Sequence, residues 1–196
     1  MSRTWHGSGP AAVIVFVAAL LGFGLALPGY SQIAHPVAVL GAKGVPHALG
    51  FNLLGFVLTG GLAAAAALGL RRRLPGDAGW RSRVGAQLVL LSALGFIAMG
   101  LLPLDPDDLD NPTSSLHATA WMLWWVAFVP GALLIALGLR GWPAWQSLKW
   151  ASAVAAVLVL FVVLLAVELM PAGIAQRFGY AAWLAWLCIA SRNPRA

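Results

Sequence analysis

Charged residues are scarce in this 196-residue chain: they make up 9% of it, whereas ordinary soluble domains contain roughly 25%. A soluble domain of this size needs far more polar surface to cover its core, so that class of protein is excluded. Cysteine occurs once, at Cys188, which excludes an intrachain disulfide. The sequence also contains no CxxC pair, P-loop or GxGxxG turn, and therefore gives no support for nucleotide chemistry.

The few charges are unequal in sign, with 12 Lys and Arg against 6 Asp and Glu and a formal net charge of +6. A basic soluble surface would indicate a nucleic-acid partner. Here the basic residues stand in short clusters beside apolar runs, an arrangement typical of membrane proteins. The sequence therefore predicts the lipid bilayer as its partner, and no nucleic acid.

Long apolar runs dominate the rest of the chain, and about 20 apolar helical residues cross a bilayer core of about 30 Å. Because the first run follows Arg3, a cleaved signal peptide is the competing interpretation. That run is longer than the usual stretch of about 7–15 residues, so we expect it to be retained. The predicted fold is an all-α membrane protein, a single domain over residues 1–196 with six transmembrane helices. The runs are Ala11–Leu27, Ala48–Leu70, Val84–Leu102, His117–Leu139, Ala151–Leu169 and Ala172–Ala190, the last of which includes Gln176 and Arg177.

The basic residues predict an orientation, because Lys and Arg are retained on the cytoplasmic side of a membrane. With both termini in the cytoplasm, ten of the twelve basic residues lie on that side, and Lys43 and Arg177 lie on the other. The predicted location is the bacterial cytoplasmic (inner) membrane. The ten residues are Arg3, Arg71, Arg72, Arg73, Arg81, Arg83, Arg140, Lys149, Arg192 and Arg195.

Short polar segments and tryptophans flank the runs. Asn111 or Thr113 is suited to cap the fourth helix, and Pro112 suits its first turn. Tryptophans near the ends of the runs indicate the aromatic belts of a membrane protein. We expect Trp121, Trp124 and Trp125 at the outer boundary and Trp5, Trp80, Trp142, Trp145 and Trp150 at the inner one.

Most polar residues of the runs fall in their outer third when depth is counted at about 1.5 Å per residue. The inner two thirds hold almost no ionisable group, which argues against a proton or ion path across the midplane. Each outer residue has a plainer role as a solvated charge or an interhelical hydrogen-bonding group. The alternative is an outward-facing pocket, whose candidate ligand-binding residues are Asn52, Asp105, Asp110, His117, Glu168 and Arg177.

Two contacts are expected within this pocket. The acidic loop, stiffened by prolines, folds over the outer mouth so that Asp105 or Asp110 approaches His117 or Arg177. Arg177 pairs with a carboxylate, and the hairpin that joins spans five and six favours Glu168. Snorkelling of Arg177 to lipid phosphates is the alternative.

Three histidines on the predicted outer side raise a metal hypothesis. Imidazole and carboxylate suit zinc, whose catalytic sites use three protein ligands and one open position. His35, His47 and His117 are the candidates, together with an aspartate. Their spacing forms no recognised motif, and the sequence identifies no cofactor.

A family resemblance rests on a polar loop after the first span, a Pro-and-Asp loop before a histidine, and an arginine at the start of the sixth span. The stretches are HPVAVLGAKGVPHALGFNLLGFVLTGGL (35–62), GLLPLDPDDLDNPTSSLHATAWML (100–123) and GIAQRFGYAAWLAWL (173–187). In these features the chain resembles a bacterial family of six-helix membrane proteins catalogued as domain of unknown function 998. The resemblance implies a fold and no established activity. On it, His117 and Arg177 are the positions carried over first, with Asn52 and Glu168 after them.

The leading functional hypothesis is a non-enzymatic membrane protein that binds or senses a lipid or another amphiphile from the outer side. The alternative is an intramembrane hydrolase of lipid head groups, metal-dependent or not, with His117 as base or metal ligand and an aspartate or Glu168 assisting. A secondary transporter is disfavoured, because inverted repeats and Gly/Pro-broken midplane helices are not apparent. Convergence of the three histidines and the loop aspartates on one point would favour the enzyme.

Overall fold

Six helices form the protein in a computed structural model that describes residues 7–192. Helix α1 is Ser8–Ala26, and α2 is Ala48–Arg73, with a π-helical segment at Asn52–Leu58. Helices α3 and α4 are Gly79–Leu101 and Pro112–Gly138. Helix α5 opens with a 3-10 turn at Pro143–Trp145 and continues as Gln146–Phe161, a π-helical Val162–Ala166 and a last turn at Val167–Leu169. Helix α6 is Ala172–Ala190, and a 3-10 turn at Val37–Gly41 lies between α1 and α2.

The predicted helix starts are confirmed where polar residues precede an apolar run. Asn111 caps α4, since its Oδ1 accepts a hydrogen bond from the Ser114 N–H at 2.9 Å, and Pro112 is the first helical residue. The cap starts α4 five residues before the apolar run begins at His117. The break between α5 and α6 falls at Met170 and Pro171, between the predicted runs that end at Leu169 and begin at Ala172.

The surface of the bundle is apolar, as a membrane protein requires. Large aliphatic side chains face outward, among them Leu25 at 86% exposure and Leu49 at 72%. Five of the six helices, α1 to α5, are long and apolar enough to cross a bilayer. Helix α6 carries Gln176 and Arg177 in its second turn and is not one of the five.

Aromatic rings from five helices fill the centre of the bundle. Phe96 of α3 lies 4.6 Å from the Trp183 ring of α6, 5.3 Å from Phe56 of α2 and 6.0 Å from Phe16 of α1, measured between ring centroids. Trp124 of α4 joins this cluster and is 1% exposed. Its predicted place in an outer aromatic belt is therefore wrong: the face of α4 that carries Trp124 points at the core.

Glycines allow α3 and α4 to pack with their backbones close together. A Cβ atom on Gly85 would lie 2.7 Å from the Gly131 carbonyl oxygen, and one on Gly95 would lie 2.9 Å from the Trp124 nitrogen. Small residues at such crossings are the usual interface material of membrane helices. The closely packed helices α3 and α4 therefore form one side of the aromatic centre.

The two ends of the bundle differ in charge. At one end, Arg73 donates hydrogen bonds to the Ala190 and Arg192 carbonyls, and the Gly9 N–H donates to Ser191 Oγ at 3.0 Å. We call this the basic end. Arg3 and Arg195 lie outside the described residues. The described basic residues at this end are Arg71, Arg72, Arg73, Arg81, Arg83, Arg140, Lys149 and Arg192. The opposite, acidic end holds Lys43, Asp105, Asp107, Asp108, Asp110 and Glu168. Trp80 and Trp150, which flank the basic end, are 64% and 63% exposed, as an interfacial position requires; Trp5 lies outside the described residues.

Candidate functional site

Arg177 is the most heavily hydrogen-bonded side chain at the acidic end. Its Nε and Nη2 donate to Gln32 Oε1 at 3.0 and 2.6 Å, and Nη2 also donates to the Tyr30 hydroxyl at 2.6 Å. Its Nη1 donates to the carbonyls of His35 and Gly173 at 2.9 and 2.7 Å. A guanidinium group has five N–H donors, so these five bonds use its whole capacity. All of the acceptors are neutral.

The predicted ion pair between Arg177 and Glu168 is wrong. Glu168 is exposed, and among residues 7–192 the one salt bridge formed joins Lys43 to Asp105. Neutral oxygens satisfy the guanidinium because the segment between α1 and α2 folds back onto the start of α6. The positive charge of Arg177 is thus held without a counter-charge.

The same segment is fastened to α6 by backbone contacts around Arg177. The Ile174 N–H donates to the Ile33 carbonyl at 3.1 Å, and the Val37 N–H donates to Gln176 Oε1 at 2.6 Å. Gly173 permits this approach, because a Cβ there would lie 2.5 Å from the Ile33 oxygen and 2.7 Å from the His35 oxygen. The hydrogen bonds of Arg177 therefore add to the backbone contacts between the segment after α1 and the start of α6.

Tyr30 completes the hydrogen-bonding shell of Arg177 from the loop side. Burial raises the pKa of its phenol, and the adjacent Arg177 charge and hydrogen bond act in the opposite direction. The hydroxyl donates to the Pro36 carbonyl at 3.4 Å while it accepts from Arg177. The phenol therefore links the arginine to the loop backbone.

His117 closes the end of α3. Its Nδ1 lies 2.8 Å from the Leu102 carbonyl oxygen and 3.1 Å from that of Met99, and the side chain is 7% exposed. Carbonyl oxygens only accept, so Nδ1 carries the proton and the imidazole satisfies carbonyls that the last turn of a helix leaves unpaired. The Phe56 ring packs edge-on against it at 6.2 Å.

Asn52 has a comparable structural contact on α2. Its Nδ2 donates to the Gly41 carbonyl at 2.9 Å, and the residue is 5% exposed. The backbone carbonyl oxygen of Asn52 would lie 2.7 Å from a Cβ on Gly100, so α2 and α3 approach closely here. Asn52 thus ties the Val37–Gly41 turn to the bundle.

The acidic loop packs against the neighbouring loop of the acidic end. Asp105 pairs with Lys43 at 3.4 Å, and the Lys43 N–H donates to the Leu104 carbonyl at 2.8 Å. Asp110 is exposed, and its N–H donates to Asp108 Oδ1 at 3.2 Å. Among the described residues Asp105 forms its ion pair with Lys43, and neither Asp105 nor Asp110 forms one with His117 or Arg177.

The three histidines of the metal hypothesis serve different local roles. His35 Nδ1 accepts a hydrogen bond from the Ser31 N–H at 2.9 Å, and His47 precedes α2 in a left-handed conformation with φ 61°. His117 is engaged by α3. Within the described part of the chain, no group of three His, Cys, Asp or Glu residues is placed to hold a metal ion.

The predicted pocket residues therefore fall into two separate clusters. Asn52, His117 and Asp105 belong to contacts among α2, α3, α4 and their loops, whereas Arg177 belongs to the contact between α6 and the loop after α1. Glu168 and Asp110 are exposed. A ligand-binding role for these residues stays a prediction.

Beside Arg177, a long apolar groove runs between α1 and α6. It has a volume of about 620 Å³, and Arg177 and Arg192 border it. These two residues are separated by about 22 Å along the helix axis at about 1.5 Å per residue. The apolar wall comprises Val13, Phe16, Val17 and Leu20 of α1 and Ala181, Leu184, Ala185, Cys188 and Ile189 of α6.

A family model described as Protein of unknown function (DUF998) matches residues 10–193, nearly the whole chain. The chain belongs to the DUF998 family. No curated protein and no solved structure matches it. The resemblance predicted from the loop motifs is thereby confirmed.

In this DUF998 protein the hydrogen bonds of His117 are made to backbone carbonyls. Its Nδ1 contacts the carbonyl oxygens of Met99 and Leu102, and neither of these partners is a hydroxyl or carboxylate group. A general base needs a nucleophile or water within hydrogen-bonding reach. The hydrolase hypothesis stays a prediction.

Sequence reasoning missed Gln32 and Gln176, the two amides that organise the acidic end of the DUF998 chain. Gln32 accepts from Arg177 and also donates through Nε2 to the Leu20 carbonyl of α1 at 3.1 Å. Gln176 accepts from the Val37 N–H. One signal was available: each glutamine is an isolated amide at the edge of a long apolar run.

Proposed function

We propose that this DUF998 protein is a six-span protein of the bacterial cytoplasmic membrane that binds an anionic lipid or similar amphiphile between α1 and α6. The observation that carries the proposal is the groove of about 620 Å³, whose wall is apolar and which a guanidinium borders at each end. An apolar wall accommodates an acyl chain, and a guanidinium attracts an anionic head group.

The head group belongs at the basic end, beside Arg192. The five donors of Arg177 are occupied by Gln32, Tyr30 and backbone carbonyls, so Arg177 offers a positive potential and no free N–H. Arg192 is exposed. Its backbone carbonyl accepts a hydrogen bond from Arg73. The proposal thus moves the ligand contact from the predicted outer pocket to the opposite end of α6.

The charge difference between the ends supports an orientation with both termini in the cytoplasm. Eight described Lys and Arg residues lie at the basic end. Because loops rich in Lys and Arg are retained in the cytoplasm, this end is assigned to the cytoplasmic side. Helix α6 is the sixth span, since Arg177 lies near the acidic end and its donors are all satisfied.

Single-cysteine labelling tests this topology. In a Cys188→Ala background, we expect a membrane-impermeant maleimide applied from the periplasmic side to modify Asp108→Cys and to leave Gly76→Cys unmodified. Both positions are loop residues; Asp108 is exposed, and a Cβ on Gly76 would meet no atom beyond its chain neighbours within 4 Å, so neither change disturbs packing. Labelling of Gly76→Cys alone would reverse the orientation.

Lipid retention tests the groove. Native mass spectrometry of protein from nanodiscs with equal phosphatidylglycerol and phosphatidylcholine should show preferential retention of phosphatidylglycerol. Arg192→Gln should lower that preference about fivefold, because a basic residue near an anionic surface contributes about 1 kcal/mol. Ala185→Trp, which fills the groove, should reduce retention of both lipids.

Two control variants separate the groove from the general surface. Arg140→Gln removes an exposed basic residue of the same end that does not line the groove, and Ala118→Trp adds a ring on an exposed face of α4. Both should retain phosphatidylglycerol as the unmodified protein does. Equal losses in Arg192→Gln and Arg140→Gln would reduce the effect to overall charge and refute the proposed site.

A further inference from the structure

A small cleft at the basic end lies between the end of α2 and the start of α3. Its volume is about 190 Å³, and Arg71, Leu74, Pro75 and Arg83 line it. These residues are distinct from those that line the groove between α1 and α6. The cleft is therefore a second place for a ligand, and it stands independently of the function proposed for the groove.

Neutral acceptors hold both arginines of the cleft. Arg83 Nη2 donates to the Gly76 carbonyl at 2.5 Å. The side-chain amide of Gln87 lies 3.0 and 3.1 Å from Nη1 and Nη2 of Arg71, so its carbonyl oxygen faces the guanidinium. A guanidinium group has five N–H donors, and these contacts use only part of that number on each arginine. The remaining donors are available to a ligand.

Within the described chain, neither arginine of the cleft has a carboxylate partner. Among residues 7–192 the one salt bridge joins Lys43 to Asp105 at the acidic end, and Asp77 in the loop beside the cleft is exposed. The first turn of α3, which borders the cleft, holds no acidic residue either. The positive end of a helix dipole favours an anion. Two guanidinium charges and this helix end thus produce a positive potential that an anion would offset.

The orientation of the protein accounts for arginines at this end of the bundle, since basic loops are retained in the cytoplasm. It does not account for two arginines that line one cleft. Arg140, by contrast, is an exposed residue of the same end that lines neither the cleft nor the groove. The convergence of Arg71 and Arg83 therefore indicates recognition of an anion in addition to membrane topology.

The size and the walls of the cleft define the anion. Pockets for whole small molecules have volumes of about 300–1,000 Å³, so a cleft of about 190 Å³ admits one small group of a ligand. Its described lining includes no aromatic ring on which a nucleobase could stack. The planar fork of a guanidinium matches the oxygens of a phosphate group. A phosphate monoester carries a charge of about −1.5 to −2 at pH 7, which two arginines balance.

We propose that this cleft binds the phosphate monoester group of an anionic ligand, with Arg71 and Arg83 as donors. Two sources present this chemistry at a membrane: the head group of a phosphatidic acid and a soluble phosphate ester. The cleft lies at the end of two membrane-spanning helices, where either source can reach it.

Calorimetric titration of the full chain in a neutral detergent tests the proposal. Glycerol 3-phosphate and dioctanoyl phosphatidic acid are the two probes, titrated separately. We expect saturable binding of at least one of them: binding of the lipid alone identifies a head-group site, and binding of glycerol 3-phosphate identifies a site for soluble esters. Arg71→Gln and Arg83→Gln should each weaken binding about tenfold, because each removes charge-assisted hydrogen bonds.

Two further variants locate the bound phosphate. Arg140→Gln removes an exposed basic residue of the same end, and Arg192→Gln removes the one that borders the groove. Both should bind the probes as the unmodified protein does. Lipid binding that is lost in Arg192→Gln and kept in Arg71→Gln would place the phosphate in the groove and overturn the proposal.

Two other results would also contradict the cleft as a phosphate site. They are the absence of saturable binding with either probe, and equal weakening in Arg71→Gln and Arg140→Gln. Arg83→Gln loses the bond to the Gly76 carbonyl, and this variant may be replaced by Arg71→Gln alone if it does not fold. Arg71→Gln leaves that bond in place, and water can replace Arg71 at Gln87 because Gln87 is exposed.

Discussion

Replacement of Arg177 by glutamine should lower the free energy of unfolding by about 3 kcal/mol, because it leaves several partly buried acceptors without their donor. The five bonds of the guanidinium hold the loop after α1 to the start of α6. Arg177→Lys keeps the charge and loses the planar fork of donors, so about half of the loss should remain. Unfolding in mixed micelles measures these differences.

Glu168 provides the control for this series. Since Glu168 is exposed and does not contact Arg177, Glu168→Gln should change stability by less than about 0.5 kcal/mol. The double variant should then show the sum of the two single effects. A coupling above about 1 kcal/mol between them would restore the ion pair that the structure excludes.

Substitution of Gly85 by alanine should destabilise the bundle by about 2–3 kcal/mol through overpacking between α3 and α4. The added Cβ would lie 2.7 Å from the Gly131 carbonyl oxygen and 3.0 Å from the Ile135 nitrogen. Both are backbone atoms that cannot move aside as a flexible side chain does. The helices must separate, and the aromatic centre next to them loses contacts.

Gly61→Ala is the matched control for this change. Gly61 is exposed on α2, and a Cβ there would meet no atom of another element within 4 Å, so alanine should stabilise the helix by up to about 1 kcal/mol. Thermal unfolding in one detergent compares the two variants. Equal effects of the two substitutions would mean that α3 and α4 do not approach as described.

The helices could be predicted from sequence because their signals are local. An apolar run of about 20 residues, a capping Asn111 and a helix-starting Pro112 act over a few positions and need no tertiary contact. Boundaries shifted where polar residues extended a helix, as at Gly79, five residues before the predicted Val84. The apolar run marks the part of the helix that lies in lipid, and the helix itself continues beyond it.

The partners of the polar residues could not be predicted in this way. Counting helical rise placed His117, Asn52 and Arg177 near one end, but depth does not specify which groups meet. Arg177 bonds to Gln32, 145 positions away in the sequence, and neutral acceptors carry no charge pattern that would indicate the pairing. The prediction favoured Glu168 because opposite charges are visible in a sequence, whereas backbone carbonyls are not.

Helix α2 carries its buried residues in pairs four positions apart: Phe51 and Asn52, Gly55 and Phe56, Thr59 and Gly60. On an α-helix of about 100° per residue, eight positions leave the third pair rotated by about 80° from the first. The wider turns of Asn52–Leu58 act against that rotation, and Thr59 Oγ1 donates to the Leu54 carbonyl within them at 3.1 Å. The direction in which the first two turns of α2 point their buried residues therefore differs from the one that a regular α-helix would impose on them. Asn52 thus reaches the Gly41 carbonyl while Ala63, Ala66 and Ala67 stay buried in the core.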